Sequence, residues 1–161
     1  MQYMNTEQKL SYSSKSLEET NKLGEAIAQS IVTPILIELV GDLGGGKTAL
    51  VKSIARGLGI TQTVTSPTFN IHREYKSPSG KLLQHFDLYR LSDDEIVQSE
   101  LNDALADSDS VVCVEWAQHF TKHASANRLV INCHYVSENE RNYEISAFGQ
   151  SALAAIKEIS K

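Results

Sequence analysis

Eight consecutive residues concentrate the chemistry of this chain: Gly41-Asp42-Leu43-Gly44-Gly45-Gly46-Lys47-Thr48, with the spacing G-x-x-x-x-G-K-[ST]. Glycines leave nothing between backbone and ligand, so successive N–H groups can turn inward around phosphate oxygens. A lysine closing such a loop reaches the outer phosphates, and the hydroxyl after it suits a Mg²⁺ ion. Lys47 and Thr48 take those positions, and Asp42 to Ala49 form the loop and first helical turn that would hold a nucleotide.

Further along, three sites could act on a bound phosphate. Glu115 ends the apolar run Val111-Val112-Cys113-Val114. Open α/β sheets place ligands beyond such strand ends, where an acid holds Mg²⁺ or orients attacking water. Asp87, in His85-Phe86-Asp87-Leu88-Tyr89-Arg90, could meet the metal through water or simply cap a turn by accepting backbone N–H groups. Thr65-Ser66-Pro67-Thr68 could sense a γ-phosphate as switch threonines do, although Ser-Pro-Thr is also a common turn. Trp116, the single tryptophan, reads as a cover for the phosphates, a partner contact or a core residue. His72, His85, His119, His123 and His134 form no metal-ligand pattern and read as satisfied or exposed side chains.

These residues need elements to position them. Ile35 to Val40 is an apolar strand entering the loop, and the residues after Thr48 read as a helix to about Leu58, its positive end facing the phosphates. Gly57 and Gly59 mark its exit. Upstream, Ser16-Leu17-Glu18-Glu19 fits a capping box before a helix with Leu17, Thr20, Leu23, Gly24 and Ile27 on one face. Residues 69–75 and 81–86 suggest strands around a Ser77-Pro78-Ser79-Gly80 turn, and 93–105 an acidic helix capped by Ser92 or Asp93. Residues 111–114 read as a strand buried on both faces, 129–135 and 142–148 as a hairpin, and 151–159 as a closing helix. Residues 1–14 give little signal beyond a short edge strand near Lys9 to Tyr12. The fold class is α/β: a single P-loop NTPase domain over 1–161, with a mainly parallel central sheet flanked by helices and carrying antiparallel additions.

Fifteen Lys and Arg against 20 Asp and Glu give a net charge of −5 with no basic run, which argues against gripping nucleic acid directly. A role near RNA would pass through a protein partner. Cys113 and Cys133 fall in expected strands without metal-ligand spacing and read as core residues. No basic segment precedes an apolar stretch at the N-terminus, and no apolar run approaches 18 residues, so the expectation is a cytoplasmic protein that does not enter membranes.

Taken together, Gly41 to Thr48, Ser66-Pro67-Thr68-Phe69, His85 to Arg90 and Glu115-Trp116 resemble the small bacterial P-loop ATPase family TsaE, formerly YjeE, in order and spacing over at least residues 16–117. The resemblance implies a role in forming threonylcarbamoyladenosine beside the anticodon of tRNA. In that family the ATPase binds the threonylcarbamoyl transferase TsaD with its partner TsaB, and its ATP cycle supports turnover; tRNA is met only through that complex. Residue by residue, the resemblance implies that Thr48 and Glu115 serve Mg²⁺, while Lys47 and the loop backbone hold the phosphates of ATP or ADP. Asp87 and Thr68 would complete the metal and γ-phosphate surroundings, Trp116 would lie near them, and Arg141 would reach the nucleotide.

The chain departs from the family pattern at Gly45, usually Ala, and at Ala49, usually Thr. Gly45 should loosen the loop slightly, since glycine loses more entropy on ordering. Residues 119–127 lack an expected Leu-Pro, which leaves the adenine-side contacts open. The leading function is an ATPase driving a tRNA-modifying complex, weak alone because no arginine finger is obvious; Arg90 or a partner's arginine could serve. The alternatives are a small-molecule kinase, disfavoured by the absence of Arg between Arg90 and Arg128, and a nucleotide-sensing module with negligible hydrolysis. A GTPase is disfavoured by the missing Asn-Lys-x-Asp element.

Overall fold

A computed structural model describes residues 8–67, 70–90, 95–119 and 127–161. Thr68, the helix cap expected at Ser92 or Asp93, and most of the 119–127 segment lie outside the described residues. In chain order the elements are β1 (Gln8–Ser14), α1 (Leu17–Ser30), β2 (Ile35–Val40), α2 (Lys47–Gly57), β3 (His72–Lys76), β4 (Leu82–Asp87), α3 (Glu95–Ala106), β5 (Ser110–Glu115), β6 (Arg128–Tyr135), β7 (Arg141–Phe148) and α4 (Gln150–Ile159).

One seven-stranded sheet runs β1-β7-β6-β2-β5-β4-β3. Its centre is parallel (β6 with β2, β2 with β5, β5 with β4), and β1, β7 and β3 are added antiparallel. The mainly parallel sheet with antiparallel additions expected from sequence is therefore the one formed, and the N-terminal strand is an edge. Side-chain alternation distributes the core. Ile35, Ile37, Leu39, Leu83, Val111 and Cys113 pack with α1, α2 and α4 on one face, whereas Leu36, Phe86, Leu88, Val112 and Val114 pack with Val97, Leu101 and Ala104 of α3 on the other. Both faces of β2 and β5 are covered, which is why these strands read as unbroken apolar runs.

Ser16 caps α1 by accepting the Glu19 N–H at 3.2 Å, while the Glu19 carboxylate accepts the N–H of Lys15, one residue earlier than a capping box requires. Gly24 lets α1 lie directly on α2: a Cβ there would meet the Ser53 Cβ at 2.2 Å. Gly57, expected to mark a helix exit, is the last residue of α2 and also packs on α1, where a Cβ would meet the Ala28 Cβ at 2.6 Å. The strand expected from residue 69 begins at His72, because Asn70 and Ile71 turn back to bond the Pro67 carbonyl and Ile71 takes φ 64°. Among the described residues, no helix is long and apolar enough to cross a membrane.

Candidate functional site

The loop between β2 and α2 is shaped by the neighbouring strand as much as by its own sequence. Gly41 leaves β2 at φ +136°, and a Cβ there would lie 2.2 Å from the Cys133 carbonyl oxygen of β6. Gly45 lies against the same oxygen, which a Cβ would meet at 2.6 Å, and its N–H donates to the Asp42 carbonyl at 3.2 Å. Gly45 thus has a packing role that chain entropy does not reveal. Asp42 does not line the cleft above the loop; its carbonyl holds the loop from within.

Lys47, buried at the start of α2, donates through Nζ to the carbonyls of Gly41 (2.8 Å) and Asp42 (2.7 Å). Its ammonium also lies 3.9 Å from the centre of the Trp116 ring. Burial lowers the lysine pKa, and the nearby carboxylates of Glu115, Asp42 and Asp87 act against that shift.

Register brings the acids to this point. Asp87 pairs with Glu115 and His85 with Cys113 across the parallel β4–β5 ladder, so His85, Asp87 and Glu115 share the sheet face that α2 covers. Glu115 is the last residue of β5 and only 3% exposed, not the surface acid that a strand end allows. The Thr48 hydroxyl donates toward Oε1 (2.8 Å) and Oε2 (3.0 Å) of Glu115, and Oε1 is also 2.8 Å from His85 Nε2. Asp87 takes the turn-capping role, its Oδ1 accepting the Tyr89 N–H at 3.1 Å, while Oδ2 accepts the Ser66 hydroxyl at 2.8 Å at the edge of the cleft. The preceding residue, Thr65, accepts from Arg73 Nη1 at 2.8 Å.

The cleft above the loop has a volume of about 470 Å³. Of the residues expected from sequence, Leu43, Gly44, Gly45, Gly46, Lys47, Thr48, Ala49, Asp87, Glu115, Trp116 and Arg141 line it. Trp116 takes φ 61° and tilts over Tyr89 at 4.8 Å, at the cleft wall and not deep in the core. Arg141 donates through Nη1 to the carbonyls of Ser137, Glu138 and Glu140, which leaves its buried Nε without a partner among the described residues. A smaller cleft of about 210 Å³ lies beside the first, sharing Gly46, Ala49 and Arg141 with it and bounded by Leu17, Thr20 and Tyr143.

Ser66, Tyr89 and Arg90 also line the larger cleft, and His85 lies directly beneath it against Glu115. Of these, sequence reasoning gave no site role to Tyr89 or His85. The available signal for His85 is its position two residues before Asp87 on one strand, which sets both on the same face.

No group of three or more His, Cys, Asp or Glu side chains with metal-binding geometry occurs among the described residues. Thr48 and Glu115 nevertheless form an oxygen-donor pair at the start of α2, which suits a hard ion that completes its shell with phosphate and water oxygens. With the unpartnered Arg141 Nε and the run of three glycines at Gly44 to Gly46, the residues present fit a Mg²⁺–nucleotide complex.

A central parallel strand feeding a phosphate loop and helix, with an acid ending the adjacent strand, defines a P-loop NTPase fold. A family model described as "Threonylcarbamoyl adenosine biosynthesis protein TsaE" matches residues 14–143. The TsaE protein of Bacillus subtilis is 35% identical over 146 residues, covering 89% of each chain. That of a Nostoc species is 34% identical over 135 residues, covering 81% of this chain and 82% of its own. The crystal structure of YdiB from Bacillus subtilis superposes with a TM-score of 0.78 at 29% identity, covering 96% of both chains. This chain belongs to the TsaE family.

Proposed function

We propose that this protein is a Mg²⁺-dependent ATPase that binds a TsaD–TsaB complex and drives it in forming threonylcarbamoyladenosine on tRNA. The observation that carries the reading is the Thr48 hydroxyl bonded to both oxygens of buried Glu115, beside Lys47. It joins the two positions that in P-loop enzymes hold metal and water at the γ-phosphate.

On nucleotide entry, Lys47 exchanges its bonds to the Gly41 and Asp42 carbonyls for phosphate oxygens, while the N–H groups of Gly44 to Thr48 close around them. Thr48 and Glu115 would hold Mg²⁺, which would supply charge neutralisation at the phosphates. Glu115 orients the attacking water and accepts its proton, with Asp87 and Ser66 at the rim of the same space. Arg141 Nε offers a donor between the two clefts, and the smaller cleft, with exposed Leu17 at its wall, takes the nucleobase. Arg90 lines the larger cleft and is the chain's own candidate for stabilising the transferred charge. The net charge of −5 fits a protein that meets tRNA only through its partners.

Phosphate release from Mg·ATP, measured alone and with purified TsaD and TsaB, tests this. Stimulation by the partners that disappears in Lys47→Ala is expected. Bound nucleotide without partner stimulation would overturn the driver reading.

A further inference from the structure

We propose that His85 is a positioning residue for the proposed metal site: it pins one oxygen of Glu115 and so reserves the other for the metal and its water. The inference rests on the reading of Glu115 given above. His85 is 0% exposed on β4, on the sheet face that α2 covers, and the only hydrogen-bond partner of its side chain among the described residues is Glu115 Oε1, at 2.8 Å. A carboxylate oxygen accepts, so in this bond His85 Nε2 is the donor. A carboxylate this buried needs donors. The Thr48 hydroxyl has one proton and shares it between Oε1 and Oε2 at nearly equal distances, so it does not select between them. The directional N–H of His85 does. It engages Oε1 and leaves Oε2 with the shared Thr48 hydroxyl alone, on a residue that lines the cleft. Because register sets His85 diagonally beneath Glu115 on the neighbouring strand, the clamp is built on sheet and not on loop.

The test reads metal linkage instead of turnover. Nucleotide affinity is titrated through fluorescence of Trp116, the single tryptophan, in EDTA and across a Mg²⁺ series. Partners that orient a metal ligand are typically worth 10- to 100-fold in metal affinity. His85→Asn, whose amide falls short of the Nε2 position, should therefore raise the half-saturating Mg²⁺ concentration by at least about tenfold. His85→Gln, whose amide reaches that position, should stay within about threefold of the unsubstituted protein, a small fraction of that effect. Affinity in EDTA should be unchanged in both, and in a Glu115→Gln background His85→Asn should add nothing.

An unaltered Mg²⁺ requirement in folded His85→Asn would overturn the inference while leaving the metal site standing. So would a loss in EDTA affinity equal to the loss in Mg²⁺, which is the mark of a merely structural residue. If the unsubstituted protein shows no tightening by Mg²⁺, the reading of Glu115 falls and this inference falls with it. Should thermal unfolding show His85→Asn to be unfolded, His85→Gln decides: an impaired Mg²⁺ series in that variant refutes the clamp.

Discussion

Replacing Gly41 by alanine should destabilise the whole fold, because the loop entrance is built against the backbone of β6. At φ +136° an L-residue is strained by about 1–3 kcal/mol. The added Cβ would also lie 2.2 Å from the Cys133 carbonyl oxygen, 3.1 Å from its carbon and 3.3 Å from its nitrogen. None of these is a flexible side-chain tip, so relief requires moving the end of β2 away from β6, one residue beyond their last pair, Val40 with Asn132. Overpacking of that kind costs about 1–3 kcal/mol. The sum, about 2–6 kcal/mol, is a large part of an ordinary domain's stability and corresponds to a fall in Tm of roughly 5–20 °C.

Gly80 supplies the control. It has φ +92° in the β3–β4 turn, but a Cβ added there would meet nothing within 4 Å, so Gly80→Ala should cost only the backbone term, about 1–2 kcal/mol. Urea and thermal unfolding of the two variants, followed by circular dichroism, give the comparison directly. If Gly41→Ala loses no more stability than Gly80→Ala, the clash with Cys133 does not shape the loop and the reasoning is wrong.

Thr48→Val keeps the shape of the side chain but removes the hydroxyl that bonds Glu115; Mg²⁺-dependent phosphate release should fall by 10- to 100-fold, read as kcat at saturating ATP. Leu17→Asp, at a position 66% exposed on the smaller cleft, should weaken ATP binding by about 1 kcal/mol, roughly fivefold in Kd, with Tm unchanged. Unaltered affinity would remove the base from that cleft. Burial raises the thiol pKa of Cys113 and takes that of Cys133 to about 12, so neither forms thiolate at pH 8. Both should resist a thiol reagent in the native protein and react fully in denaturant.

The site is assembled by topology around a segment that announces itself. Gly41 to Thr48 is legible without any structure, because a phosphate cradle constrains residue type at each step of one short segment. The strands and helices around it are legible for a similar reason: β2 and β5 are continuous apolar runs, and α1 carries its cap and apolar face within fifteen residues. The burial of Glu115 is not legible in that way, because β5 is covered on both faces and its last residue could equally have faced solvent.

What no local pattern holds is which strand lies beside which. The order β6-β2-β5-β4 brings Glu115 to Thr48 across 67 residues of chain, places Asp87 opposite Glu115, and sets His85 diagonally behind it. The same order puts the Cys133 carbonyl under the loop, so that Gly41, read from sequence as a phosphate-cradle glycine, is also required by a neighbour more than eighty residues away, and Gly45 packs on the same oxygen. His85 looked inert in sequence because a histidine's role depends on what its second nitrogen touches. Sequence alone determined the loop, the elements and their inward faces, since these depend on residues close in the chain. Only the tertiary structure decided the pairing of Glu115 with Thr48 and His85, because those contacts are fixed by strand order and register.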